Sequence, residues 1–173
     1  MITARTKSPD DTRELAGAMA GLARAGDVVL LAGELGAGKT VFAQGFGRAL
    51  GIEEPITSPS FTLVRIYPGR VRLVHADVYR LDHLQEVVDL ALPELLDEGA
   101  VALIEWGDVA AATLAPDFLE VGLELGAGDD DRVLTLRAVG ARWSGRLPLL
   151  AFALDRWLID PGPDPGVAPG ALR

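Results

Sequence analysis

One octapeptide in this chain has the composition of a phosphate-binding loop. Gly33-Glu-Leu-Gly-Ala-Gly-Lys-Thr40 matches the pattern G-x-x-x-x-G-K-[ST] at every defined position. In such a loop the glycines let the backbone curl until successive N–H groups point at phosphate oxygens, and the next helix adds its positive end. Lys39 is predicted to reach the β- and γ-phosphates, and Thr40 to bring a hydroxyl to Mg²⁺. The rest of the predicted nucleotide site consists of Glu34, Leu35, Gly36, Ala37, Gly38 and Val41.

Two acidic residues end hydrophobic segments and are candidates for the group that holds the metal or orients water. Glu105 follows Val101-Ala-Leu-Ile104, and Asp77 follows Val74-His-Ala76. A carboxylate at the end of a buried parallel strand emerges beside the phosphate loop. We therefore predict Glu105, Asp77 and Lys39 as catalytic and Thr40, Glu105 and Asp77 as metal ligands. The plainer alternatives are a charge that merely ends a strand, for Glu105, and a helix cap, for Asp77.

Hydroxyl groups and arginines form two further clusters with open interpretations. Ser58, Ser60 and Thr62 lie in Thr57-Ser-Pro-Ser-Phe-Thr62, where a switch-like loop would report the γ-phosphate. A polar loop with a Ser-Pro turn explains the same composition. The arginines at 65, 70, 72 and 80 either dock an acidic partner or RNA held by a partner, or lie on a solvated hairpin. His75 is interpreted as a structural histidine.

The surrounding pattern predicts one α/β domain with a mixed, mostly parallel sheet flanked by helices and antiparallel hairpins. Ser8 is predicted to cap a helix that ends at Gly26, and a buried strand then leads into the glycine-rich loop. Hairpins are predicted around Pro68-Gly69 and around 126–131. The domain is expected to span 1–159. Residues 160–173 are too rich in proline and glycine for regular structure and are predicted to be a flexible tail.

Composition excludes several classes of function. The chain has 173 residues, no cysteine and two histidines, so disulfides and cysteine-based zinc sites are excluded. A net charge of −9 opposes binding of a large nucleic-acid footprint by the chain alone. No apolar run approaches a membrane span and no secretory signal is visible, so a cytoplasmic location is expected.

The nucleotide is expected to be ATP. A GTPase would need an Asn/Thr-Lys-x-Asp element for guanine, whereas this chain contains no asparagine and Lys7 has the wrong spacing. Two classes of function remain open at this level, a stand-alone small-molecule phosphotransferase and an ATPase that serves a larger assembly. A scaffold gated by ATP, with incidental hydrolysis, is a third.

Four segments in a fixed order resemble a known family. They are the octapeptide at 33–40, Thr-Ser-Pro-Ser-Phe-Thr-Leu-Val at 57–64, His-Ala-Asp-Val-Tyr-Arg-Leu at 75–81 and Leu-Ile-Glu-Trp at 103–106. Together they resemble the TsaE (YjeE) family of P-loop ATPases in tRNA threonylcarbamoyladenosine synthesis. The resemblance spans roughly residues 9–140 and is more specific than the phosphate loop alone.

The resemblance implies a P-loop NTPase fold and a weak ATPase that supports a TsaB–TsaD-like heterodimer. It implies contact with tRNA only through that complex. By residue, it assigns phosphate and Mg²⁺ binding to Lys39 and Thr40, and completion of the metal or water site to Glu105 and Asp77. Thr62 and its neighbours would form the switch-like loop, and residues near Ser8 would border the adenine.

Overall fold

A computed structural model of the chain describes residues 1–59, 64–77, 92–105 and 116–160. The elements in chain order are β1 (Ile2–Thr6), α1 (Pro9–Ala20), β2 (Val28–Ala32), α2 (Lys39–Ala49), β3 (Val64–Tyr67), β4 (Leu73–Asp77), α3 (Leu92–Asp97), β5 (Val101–Glu105), β6 (Phe118–Leu125), β7 (Arg132–Val139), α4 (Ala141–Ser144), α5 (Leu147–Ala153) and a 3₁₀ turn (Asp155–Trp157). The predicted tail lies outside the described residues apart from Asp160.

The described strands form one seven-stranded sheet in the order β1-β7-β6-β2-β5-β4-β3. The four strands β6, β2, β5 and β4 are parallel, and antiparallel pairs close both sides, β3 on β4 and β7 on β6. This arrangement confirms the predicted mixed sheet and both predicted hairpins. Parallel strands end at the same edge, so the segments after β2, β4 and β5 meet there.

The hydrophobic core has two layers, one on each face of the sheet. The larger contains the apolar stripes of α1 and α2 together with Trp143, Leu150 and Trp157 of the C-terminal segment. The smaller packs Leu92 of α3 against Val28, Leu30 and Ile104. Because β2 and β5 are covered on both faces, their sequences are continuous apolar runs, as expected for central parallel strands.

The first helix begins where the sequence predicted and ends earlier. Ser8 caps α1, and its hydroxyl accepts the backbone N–H of Asp11 at 3.1 Å. The helix ends at Ala20, with Gly21 as its cap, so the predicted end at Gly26 is wrong. Gly26 has a positive φ of 79° and donates its N–H to the carbonyl of Ala100 at 2.8 Å. Gly26 therefore forms the turn that leads into β2. In the sequence, a glycine in such a turn looks the same as a glycine that ends a helix.

An N-terminal strand that the sequence did not predict extends the sheet. β1 pairs antiparallel with β7, placing Thr6 opposite Arg132. The C-terminal segment returns to the same strand, because Leu158 bridges Ala4 and the N–H of Ile159 donates to the carbonyl of Thr3 at 3.0 Å. Pairing on both sides thus holds this five-residue segment in the sheet.

A buried ion pair fixes the start of β2. Arg146 donates from both terminal nitrogens to Asp27, at 2.7 Å and 2.6 Å, and its guanidinium lies 4.0 Å from the centre of the Trp143 ring. The backbone N–H of Arg24 also donates to Asp27, at 2.8 Å. These contacts anchor the C-terminal helices to the central strand.

Candidate phosphate-binding site

The loop between β2 and α2 has the backbone of a phosphate cradle. Gly33, Gly36 and Gly38 all have positive φ values, of 146°, 82° and 107°. A Cβ added at Gly33 would lie 2.5 Å from the carbonyl oxygen of Leu123, so only glycine fits there. Gly38 caps α2 without a side-chain hydrogen bond, which leaves the first N–H groups of that helix facing the loop. The curl and the open helix end suit an anion.

Lys39 lies inside this loop and not in solvent. Its ammonium donates to the carbonyl of Gly33 at 2.7 Å and to that of Glu34 at 2.9 Å, and the residue is only 6% exposed. Burial lowers the pKa of Lys39 below its usual value of 10.5, while the nearby carboxylates of Glu105 and Asp77 act in the opposite direction. The lysine is thus held against the loop at the point where a phosphate would meet it.

The two predicted acids meet at the carboxyl edge of the sheet. Asp77 ends β4 and Glu105 ends β5, and the parallel register pairs them directly. The same register pairs Glu105 with Leu31, close to the start of the phosphate loop. Both acids are buried, at 6% and 3% exposure, even though they are charged side chains at strand ends. Sheet register therefore brings together residues that are 28 positions apart in sequence.

A cavity of about 400 Å³ joins these groups. Its lining comprises Leu35, Gly36, Gly38, Lys39, Thr40, Val41, Ser58, Asp77 and Glu105. One cationic group, two carboxylates and two hydroxyls thus face a single space. Within the described ranges no group of three or more His, Cys, Asp or Glu side chains forms a complete metal cage. A hydroxyl with one or two carboxylates fits Mg²⁺, which takes its other ligands from water and substrate phosphates.

The remaining predicted residues are placed as follows. Glu34 and Ala37 line a second cavity of about 370 Å³ together with Gly33, Leu35 and residues 123–125, on the β6 side of the loop. Ser8 is not among the residues that line either of these two cavities. It follows β1 by two residues, and the last residue of that strand, Thr6, pairs with Arg132. Ser60 and Thr62 of the switch-like loop, as well as Trp106 and Arg80, lie outside the described residues.

The arginine hairpin is partly engaged with the domain itself. Arg72 pairs with Glu98 at 3.0 Å, and Arg70 donates to the carbonyl of Ala20 at 3.3 Å. Arg65 donates to the hydroxyl of Thr57 at 2.6 Å, directly beside the cavity residue Ser58. Of the three, Arg65 is the one that connects the exposed hairpin to the phosphate site.

Two residues at the site were missed by the sequence analysis. Arg132, at the start of β7, donates from Nε to the carbonyl of Ala37 at 2.9 Å and so braces the loop. His75, interpreted as structural, has its Nε2 atom 2.8 Å from Oε1 of Glu105. Nothing in the sequence around Arg132 indicates that its side chain reaches the phosphate loop. The spacing of His75 from Asp77 does place both side chains on one face of β4.

The known proteins to which this chain is similar belong to one family. The profile of the family described as threonylcarbamoyl adenosine biosynthesis protein TsaE matches residues 6–133. The protein of that name from Bacillus subtilis is 41% identical over 140 residues, covering 80% of this chain and 87% of the relative. Its counterpart from Streptomyces coelicolor is 40% identical over 139 residues, covering 76% and 93%.

A solved structure agrees with the sequence relatives. The crystal structure of YdiB from Bacillus subtilis superposes with a TM-score of 0.71 at 36% identity, covering 90% of this chain and 97% of that one. This match confirms the predicted P-loop NTPase fold. In the part of the chain that the structure describes, no helix is both long and apolar enough to span a membrane. The ordered motifs, the phosphate cradle and these relatives lead to one conclusion: the chain belongs to the TsaE family.

Proposed function

We propose that this chain is an accessory ATPase that binds Mg²⁺-ATP and hydrolyses it to support the complex that makes threonylcarbamoyladenosine in tRNA. The observation that carries the proposal is the convergence of Lys39, Thr40, Asp77 and Glu105 on one cavity beside the glycine loop. The relatives bear the name of a tRNA threonylcarbamoyladenosine biosynthesis protein, which supports the pathway. Such an ATPase would act in the cytoplasm.

Different residues of the site would bind the phosphates, bind the metal and orient the water during phosphoryl transfer to water. The glycine loop and the first N–H groups of α2 bind phosphate oxygens, and Lys39 exchanges its loop carbonyls for the β- and γ-phosphates. Thr40 would offer its hydroxyl, and Glu105 or Asp77 a carboxylate, to the metal, and the other carboxylate would orient the attacking water. Bound Mg²⁺ would offset the charge that the phosphate oxygens develop.

The nucleoside is assigned to the second cavity. That space lies on the β6 side of the loop, away from the acids on the β5 side, and Leu35, Leu123 and Leu125 supply apolar surface. Leu35 and Leu125 are 94% and 66% exposed, so their apolar surface is available to a base and a ribose. With the base and ribose in this cavity, the phosphates would lie in the glycine loop.

The partner is proposed to be a TsaB–TsaD-like heterodimer, with tRNA reached only through that assembly. The contact of Arg65 with Thr57 offers a route from the exposed hairpin to Ser58 in the cavity. A partner coupled to the cavity through this contact would bind more tightly when ATP is present, by the same factor by which it strengthens ATP binding. Arg65→Glu is expected to weaken that coupling and leave basal ATP binding intact.

An ATPase titration with and without the purified heterodimer tests this proposal. We expect slow hydrolysis by the chain alone and faster hydrolysis in the complex. Isothermal calorimetry gives ATP affinity with Mg²⁺ and with EDTA. Absence of ATP binding contradicts the nucleotide assignment. Binding and hydrolysis that are both indifferent to the heterodimer would favour the stand-alone phosphotransferase instead.

A further inference from the structure

His75 lies in the middle of β4 and contacts an acid of the phosphate site. Its Nε2 atom is 2.8 Å from Oε1 of Glu105, on the neighbouring strand β5. His75 is fully buried, and Glu105 is only 3% exposed. A Glu105 carboxylate in its ionised form can only accept this hydrogen bond, and the contact then requires the ring proton of His75 to be on Nε2.

The contact restricts the orientation of the Glu105 side chain. Register places Glu105 directly beside Asp77, and neighbouring strands are about 4.8 Å apart, so two carboxylates with no other constraint would turn away from each other. A donor on Oε1 holds one oxygen of Glu105 and leaves the second for the cavity that Glu105 lines with Lys39 and Thr40.

The second ring nitrogen argues against a purely structural histidine. Among the described residues, the buried Nδ1 atom of His75 has no hydrogen-bond partner. Burying a polar atom in that state costs free energy, and an apolar residue would avoid the cost. The polar contact that the described structure gives the ring is with Glu105.

We propose that His75 is a positioning residue, which orients Glu105 toward the metal and the attacking water. This inference rests on the function proposed above. Groups that orient metal-site carboxylates typically change metal affinity or activity about 10- to 100-fold when removed.

Two substitutions separate the hydrogen bond from packing. His75→Leu fills the buried space without a donor, and we expect kcat for ATP hydrolysis to fall about 10- to 100-fold. The nucleotide Kd in EDTA should stay unchanged. His75→Gln has a terminal amide nitrogen that can donate from nearly the position of Nε2, so it should recover most of the activity. Val74→Ala is the matched control. Val74 is the fully buried neighbour on the other face of β4, so this variant should lose stability and keep kcat.

A double-variant cycle gives the sharper result. If His75 acts through Glu105, His75→Leu should have no further effect on hydrolysis in a Glu105→Gln background. Equal losses in both backgrounds would overturn the proposal, because they would show a role independent of Glu105.

Two measurements do not depend on turnover. Nitrogen-15 NMR of the metal-free protein should place the ring proton of His75 on Nε2, and a proton on Nδ1 alone would overturn the proposal. Calorimetry should show that the gain in ADP affinity on adding Mg²⁺ is smaller in His75→Leu than in the parent. If the parent shows no such gain, the proposed function itself fails. If the parent shows it and His75→Leu keeps both the gain and kcat, only the positioning role fails.

Discussion

The two ends of strand β2 bury charge to a similar degree and use it differently. At its start, Asp27 and Arg146 are 1% and 6% exposed, and the carboxylate receives three hydrogen bonds from within the chain. Beyond its end, Lys39, Asp77 and Glu105 are 6%, 6% and 3% exposed, yet they border an open cavity. A closed pair stabilises the fold, whereas charges kept beside an open space are available to a ligand.

The largest effect is expected at the closed end. Arg146→Met should lower the free energy of unfolding by about 3–5 kcal/mol, because it leaves the Asp27 carboxylate buried without its guanidinium donors. Urea denaturation measures this loss, and ATP affinity of the folded protein should not change. Arg142→Ala is the matched control, since Arg142 is 53% exposed and 4.0 Å from the same carboxylate, and should cost under about 1 kcal/mol.

A second variant identifies the origin of that loss. Adding Asp27→Asn to Arg146→Met removes the stranded charge and should restore part of the stability. A double variant no more stable than Arg146→Met would contradict the comparison, since the cost would then come from lost packing.

At the open end the expected effect is on hydrolysis. Glu105→Gln keeps the shape of the side chain and loses the charge, so kcat should fall about 10²- to 10³-fold while ATP binding is retained. Single-turnover hydrolysis and calorimetry measure the two quantities separately. Asp77→Asn is the paired comparison, because it makes the same change on the register partner. If only Asp77→Asn abolishes hydrolysis, the roles of the two acids are reversed.

Lys39→Met should weaken ATP binding without lowering the stability of the ligand-free protein. Loss of the ammonium removes about 1.5–3 kcal/mol of ATP binding, the range for hydrogen bonds to charged groups. Thermal melting of the ligand-free variant should show no loss of stability, in contrast to Arg146→Met, because burial disfavours the Lys39 ammonium more than the attraction of Glu105 and Asp77 favours it. A variant that unfolds more readily than the parent would show that Lys39 also stabilises the empty loop.

The pH dependence of this difference has a defined sign. The pKa of Lys39 is lowered in the folded protein, so between that value and 10.5 the unfolded chain binds more protons. The parent therefore gains stability relative to Lys39→Met as pH rises through this window. Melting temperatures of both proteins across alkaline pH would check it.

The smallest effect is expected from the C-terminal tail. Deleting residues 161–173 should leave the melting temperature and ATPase nearly unchanged, since the segment contains few large apolar residues. Deleting 155–173 also removes Trp157, whose indole donates to Asp11 at 2.6 Å, and should be clearly destabilising. A drop of several degrees for the shorter deletion would contradict the proposed domain boundary at 159.

The sequence predicted those parts of the molecule in which local pattern and local structure agree. The glycine loop, the strands ending at Asp77 and Glu105 and the two hairpins follow from spacing and turn chemistry within short windows. Placing both acids at the loop required only the rule that parallel strands end together. The helix-capping role of Ser8 was likewise predicted from the residues next to it in the sequence.

The features that sequence analysis missed depend on contacts between distant segments. Arg146 meets Asp27 across 119 residues, and Arg132 meets Ala37 across 95. A buried arginine is rare enough that composition alone argues against it. The end of α1 was placed too late because Gly26, a common helix terminator, instead serves a turn held by Ala100. Strand β1 owes its existence to pairing with β7, which no window around it contains.

The covered edge of β1 has a consequence for self-association. An open strand edge is a template on which another chain can add a strand and begin aggregation. Here Leu158 and Ile159 occupy that edge, while the opposite edge, β3, is four residues long and presents the exposed Arg65. Truncation before Leu158 would uncover backbone donors and acceptors, and such proteins should precipitate on concentration sooner than they lose nucleotide binding.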